Sequence, residues 1–386
     1  MQREIPQEGA RSARDRRWRP RLAHQGSRAD DRRLVVLLLV LPVSVGLASG
    51  AVGCGGNRGE EAGPMGPTDS APSSGTVQVT LRPALRPPEE LTAVWGSGPH
   101  DVWAVGSGVT YHWDGQRWTS AALASAQASP PHGVRLQSVW GTDPTNVWTV
   151  GNPLEFRHWD GRTWKHLPPN GGIHAFGLWG SSAEDVWAVG ATTKGGVFHW
   201  DGADWTWQLV GSSAGTSYLN AIWGSGANDV WAVGGGVDGD VGPVEAHAFH
   251  WDGGSWTPRP TGLRSPLQSV WGSGPMDVWA VGRAGTITHW DGQAWSPSPS
   301  GTTQMLWSVW GSGRQDVWAV GDAGIVLHWT GTTWSRVPTA TTSPLRGVWG
   351  SGPGDVWVVG HQVILHLPSS PNVGAPSVVS TASQQH

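Results

Sequence analysis

Seven histidines recur at matching places along this chain. His112, His158, His199, His250, His289 and His328 each precede a tryptophan, and His366 holds the same place in the last repeat. Histidine is a common ligand of zinc, so the pattern raises a metal reading. Residues that recur once per unit, however, sit in separate units, too far apart to share one ion. Hydrogen bonding within each unit is the reading the pattern favours. A second set opens the tripeptide Asp-Val-Trp: Asp101, Asp185, Asp229, Asp277, Asp316 and Asp355. Asn146 replaces the aspartate once. An amide keeps the side-chain turn bond but cannot act as an acid, a base or an anionic ligand. Both sets therefore point to structural duty. Asp238, Asp240 and Glu245 are oxygen donors at a spacing loosely like a calcium loop, without the further ligands of a full motif. The sequence predicts no metal and no cofactor.

Catalytic signals are sparse. There is no nucleophile elbow and no phosphate loop. Tyr111 and Tyr218 are the two tyrosines, and beyond Glu90 the glutamates are Glu155, Glu184 and Glu245. The expectation is a protein that is not an enzyme. The alternative is a propeller-type glycosidase or lyase acting on extracellular polysaccharide, which would need two facing carboxylates.

The elements that carry these residues come from one phrase written seven times. It runs Val-Trp-Gly-Ser-Gly-Pro-x-Asp-Val-Trp-Ala-Val-Gly, then a variable stretch, then His-Trp-Asp-Gly-x-x-Trp. The leading tryptophans are Trp95, Trp140, Trp179, Trp223, Trp271, Trp310 and Trp349. A period of about 40 residues built from short β-patterned segments predicts an all-β, seven-bladed β-propeller with four strands per blade. In the fifth copy the strands are expected at 267–271, 277–281, 287–290 and 293–298. A two-residue Asp-Gly hairpin turn is expected between the third and fourth strands. The seventh copy stops after its third strand. The lone β-segment Thr76–Leu81 lies at the spacing of a fourth strand before the first copy, so it is expected to complete blade seven and close the ring.

The repeat resembles those of Trp-rich β-propeller lipoproteins of bacteria, over residues 76–368. Its last turn is similar to the Asp-box of BNR propellers, Asp-x-Gly-x-x-Trp, without the residue between Asp and Gly. Its Trp-Asp dipeptide is similar to that of WD40 repeats, and its second strand to tectonin-type lectin propellers. These likenesses imply the fold.

The amino terminus reads as an export signal. Residues 1–33 are Arg-rich, an apolar run begins at Leu34, and the single cysteine, Cys54, follows small residues. Residues 1–53 are expected to be a signal or lipoprotein leader, with Cys54 the lipid attachment site and an outer-membrane location at the cell envelope. An uncleaved anchor is the alternative. Residues 54–75 read as a flexible tether and 369–386 as a disordered tail. Acidic residues outnumber basic ones, 29 against 25, and the leader holds many of the basic ones. An acidic mature surface disfavours nucleic acid as a partner.

The repeat varies in length at three places: Ser120–Arg135, Ala191–Gly195 and Gly234–Ala248. All three fall on the face that carries the strand two-to-three and blade-to-blade loops, which is the expected binding face. Trp207 and Trp307 lie outside the repeated tryptophan positions and are candidate ligand contacts, with Asp238, Asp240 and Glu245. The expected function is an envelope-tethered, monomeric interaction module for a protein or carbohydrate. Fatty-acid labelling of expressing cells should mark the wild-type protein and leave Cys54→Ser unmarked; an unlabelled wild type would reject the lipid.

Overall fold

A computed structural model describes residues 90–122, 133–170, 173–191, 196–210, 216–237, 244–339 and 341–367. The expected leader, Cys54, the tether, Thr76–Leu81, Asp238, Asp240 and the tail lie outside the described residues.

Each repeat forms an antiparallel sheet whose strands follow chain order. The fifth repeat has strands Leu267–Gly274, Asp277–Gly282, Ile287–Trp290 and Trp295–Pro297. The third and fourth repeats make the same four-strand pattern and merge into one eight-stranded sheet through the pair Ala191–Tyr218. The last repeat has Leu345–Gly352, Asp355–Gly360 and Val363–Leu367. No helix among the described residues is long and apolar enough to cross a membrane.

Second strands are apolar on both faces, and Val278, Trp279, Ala280 and Val281 are all buried. That suits a strand covered on either side by neighbouring sheets. Trp279 and Val281 pack with Leu306, Val309 and Val317 of the next repeat. The Trp279 ring meets Trp329 at 5.0 Å and Trp334 edge-on at 5.4 Å. From the last repeat, Trp357 meets Trp113 and Trp118 of the first at 5.8 and 5.5 Å.

The dipeptide Trp-Gly explains how closely the first strands approach. A methyl group on Gly272 would fall 2.7 Å from the Trp223 indole of the preceding repeat and 2.6 Å from the Asp277 carbonyl. The same contact joins Trp271 to Gly311 and Trp310 to Gly350, and it joins Trp349 of the last repeat to Gly96 of the first. Only a residue without Cβ lets the indole lie against the neighbouring backbone.

The recurrent histidine and aspartate form one hydrogen-bonded unit. His289 Nε2 stands 2.6 Å from Asp277 Oδ1, and Ser273 Oγ donates to Oδ2 at 2.5 Å. An ionised carboxylate only accepts, so the imidazole donates through Nε2. The ring stacks on Trp279 at 4.1 Å. In the second repeat Asn146 Oδ1 takes His158 at 2.6 Å, while its Nδ2 donates to Thr142 Oγ1 at 2.7 Å. The amide thus reverses one bond and keeps the unit. Burial raises the Asp277 pKa, but the bonds from His289 and Ser273 outweigh it and hold the carboxyl below its ordinary range. Asp101, Asp185, Asp229, Asp316 and Asp355 are lowered in the same way.

Three sequence expectations need correction. The Asp-Gly hairpin has four residues rather than two: Trp290 pairs with Trp295, and Asp291 N–H donates to Ala294 C=O at 3.4 Å. The Asp291 side chain accepts the N–H groups of Gln293 and Ala294, and Gly292 takes φ +97°. The aspartate therefore caps the turn, which the two-residue reading had given no role. The fourth strand is Trp295–Pro297, shorter than 293–298, because the turn occupies 291–294; the sixth repeat, with Thr330 in place of the aspartate, keeps the same turn length and the same short strand, Trp334–Arg336. The extension Gly234–Ala248 is largely strand: Gly234–Val237 pairs with Val244–His247 residue by residue.

Trp279→Ala should cost about 3–5 kcal/mol by removing a buried indole, and Gly272→Ala about 1–3 kcal/mol by overpacking; denaturant melts measure both, and unchanged midpoints would refute the interlock. The six lowered carboxyls contribute fully above the ordinary aspartate value of 3.8. That contribution fades as pH falls through their lower folded values. Stability measured by denaturant from neutral to strongly acidic pH should decline in that window, less steeply in Asp277→Asn; a flat profile would contradict it.

Candidate functional site

The first strands surround a channel, and one residue from each repeat shapes its mouth. These are Thr92, Gln137, Phe176, Asn220, Gln268, Trp307 and Arg346, each directly after a buried apolar residue such as Leu267. They differ in class although their neighbours hardly differ. The backbone explains why. In the fifth repeat Leu267 pairs with Gly282 and Ser269 with Val281, so Gln268 is an extra, unpaired residue. The same shift falls at Thr92, Gln137, Phe176, Asn220, Trp307 and Arg346. A β-bulge re-aims a side chain and frees it from the ladder. Each mouth residue is thus outside the sheet–sheet core.

A second bulge in each first strand, between Gly272 and Gly274 in the fifth repeat, falls at Ser273. It sends that hydroxyl to Asp277 at the other end of the strand. One bulge serves the scaffold and the other the channel.

The cavity at the mouth is about 340 Å³ and adjoins a smaller one of about 180 Å³ lined by the same mouth residues and their neighbours. Its charges gather on one side. Glu90 receives Arg135 at 2.7 Å and Arg346 Nε at 2.9 Å. Arg346 Nη1 lies 3.6 Å from Asp322, and the guanidinium carbon sits 4.1 Å over the Trp307 ring. Trp307 Nε1 donates to Asp322 at 2.8 Å. Two guanidinium groups thus meet two carboxylates in a single network spanning the first, second, sixth and last repeats. Phe176 and Asn220 line the opposite side, where Asn220 Nδ2 donates to the Leu267 carbonyl at 2.7 Å. Tyr218, two residues before Asn220, is 47% exposed on the long strand Thr216–Gly226.

The residues singled out from sequence are not brought together. Trp307 is part of the mouth. Trp207 is exposed on Trp205–Leu209, the outer strand of the third sheet, opposite Phe198. Glu245 is exposed in the ladder opposite Gly236. Among the described residues no group of three or more histidine, cysteine, aspartate or glutamate side chains could hold a metal ion. The other mouth residues escaped notice, although a signal for them exists. Buried residues spaced by three, Leu91 and Val94 or Leu267 and Val270, cannot share one face of a regular strand. That spacing announces the bulge.

No family model matches the chain, and no curated protein sequence is similar to it. Solved structures are similar in fold. YCF48 bound to D1 peptide superposes with a TM-score of 0.58 at 19% identity, over 78% of this chain and 99% of that one. YCF48 from Cyanidioschyzon merolae gives 0.57 at 16% identity, over 72% and 95%. The WD40 β-propeller domain of Doa1 gives 0.56 at 11% identity, over 75% and 95%. At such identities the likeness concerns architecture alone: the chain is an all-β protein with a β-propeller fold.

Proposed function

We propose that this chain is an interaction module that holds a segment of a protein or glycan at its channel mouth. The observation that carries the reading is the bulged position: seven equivalent sites bear seven side chains of mixed chemistry, on a scaffold otherwise repeated closely. A position kept for packing would repeat, as Leu267, Leu306 and Leu345 do. Binding residues on a rigid frame are free to differ. That a similar fold, YCF48, has been solved with a peptide bound supports a peptide-type ligand here.

The finer reading has seven blades, one per repeat, with Thr76–Leu81 as the outer strand of the last. It is supported by the contacts of Trp357 with Trp113 and Trp118, and by Val363–Leu367, which has no outer partner among the described residues. The module is not an enzyme, acts as a monomer, and is tethered by lipid at Cys54 to the outer membrane of the cell envelope, with no nucleic-acid partner.

Deleting residues 76–81 should lower the melting temperature sharply, and an unchanged melt would refute the closing strand. Arg346→Ala together with Trp307→Ala should weaken ligand capture by about tenfold or more while Trp207→Ala does not; the reverse order, measured by calorimetry on the full chain, would move the site to the outer strand.

A further inference from the structure

The charge balance of the mouth narrows what it takes, on the reading that the mouth is the binding site. Glu90 and Asp322 already face Arg135 and Arg346. An anion approaching either guanidinium meets a carboxylate at similar range, so attraction and repulsion largely cancel. A cation meets the converse. Among the described residues the charges at the mouth balance, although the mouth is polar.

The hydrogen-bonding groups left over are neutral or already neutralised. Gln137 and Gln268 line the mouth, and no bond to either side-chain amide occurs among the described residues. A primary amide offers donors and an acceptor side by side, the same pair that a peptide group presents. Glu90 takes the Nε of Arg346, while Nη1, 3.6 Å from Asp322, is buried without a hydrogen-bond partner among the described residues, a donor unmatched by the protein beside the mouth. Arg346 covers one face of Trp307 at 4.1 Å, which leaves less of its ring to stack on a sugar. The two adjoining cavities, about 340 and 180 Å³, are on the scale of one side chain and its flanking amides.

We infer that the channel mouth recognises an uncharged peptide segment, one side chain entering the channel while Gln137, Gln268 and Arg346 bond its flanking amides. Affinity then comes from hydrogen bonds and apolar burial against Phe176, and ionic strength hardly affects it. An ordinary arginine-lined site would bind acidic peptides and lose them in salt.

The test selects a phage-displayed library of random heptapeptides on the full chain, with chitin and dextran oligosaccharides as comparison probes. Enriched peptides are then measured against wild type, Gln137→Ala and Gln268→Ala. Melting curves confirm that both variants fold; both positions lie outside the core. The expected result is peptides without net charge, bound with less than about a twofold change between about 50 and 500 mM NaCl and about tenfold more weakly by either variant. Enrichment of acidic or basic peptides that need the two glutamines but lose about tenfold or more affinity in salt would overturn this inference and leave the mouth as the binding site. Binding indifferent to both glutamines, or no enrichment, would overturn both. Saturable oligosaccharide binding that the glutamine variants abolish would replace the peptide by a glycan.

Discussion

The contact on which the molecule depends is an indole laid against a bare backbone. Each leading tryptophan reaches the glycine that follows the leading tryptophan of the next repeat, at separations a Cβ would make impossible. The pair fixes the distance between adjacent first strands. Flat apolar faces such as that of Val278 and Ala280 can then bury completely. Because Trp349 makes the contact to Gly96, the first and last repeats are held by the same interaction as the others. A wider spacing would leave voids along every seam and a channel of different bore.

On that frame the hydrogen-bonded units lock the far ends of the strands. Histidine, aspartate and serine bond around the edge of a stacked indole, so a polar cluster sits beside an apolar seam with its carboxylate and hydroxyl paired. The second repeat shows the tolerance of this arrangement. Asn146 and Thr142 exchange the direction of one bond, Thr142 turns its own hydroxyl to Asp143, and the histidine bond is kept. The substitution would not be acceptable in a proton-transfer site, and it is consistent with a group whose work is geometric.

Much of the scaffold was legible in the sequence because it is periodic. The repeated tryptophans gave the units, the alternation of Val, Trp and Ala gave the buried second strand, and the amide at position 146 argued against chemistry at the aspartates. The hairpin turn was misread because Asp-Gly usually signals a tight turn; the turn has four residues even where Thr330 replaces the aspartate, and where the aspartate is present its side chain caps the turn by binding two amides. The binding position was harder to read. Trp307 stood out as a tryptophan out of phase, but Gln137 or Thr92 look like ordinary variation. Their shared register becomes visible only when the bulge is known. Trp207 is equally out of phase and lies on an outer strand. An unusual residue type therefore marks exposure without telling which surface.

The bulge has an evolutionary consequence. Its residue is unpaired in the ladder and lies outside the sheet–sheet core, so it is freer to change than its neighbours, although Thr92, Asn220 and Arg346 also bond to adjacent repeats. Seven such sockets, each carried by a separate stretch of chain, can be altered one at a time or shuffled by recombination between repeats. A lineage built on this frame can therefore wander among partners in small steps, retaining its architecture while the rim of its pore is rewritten.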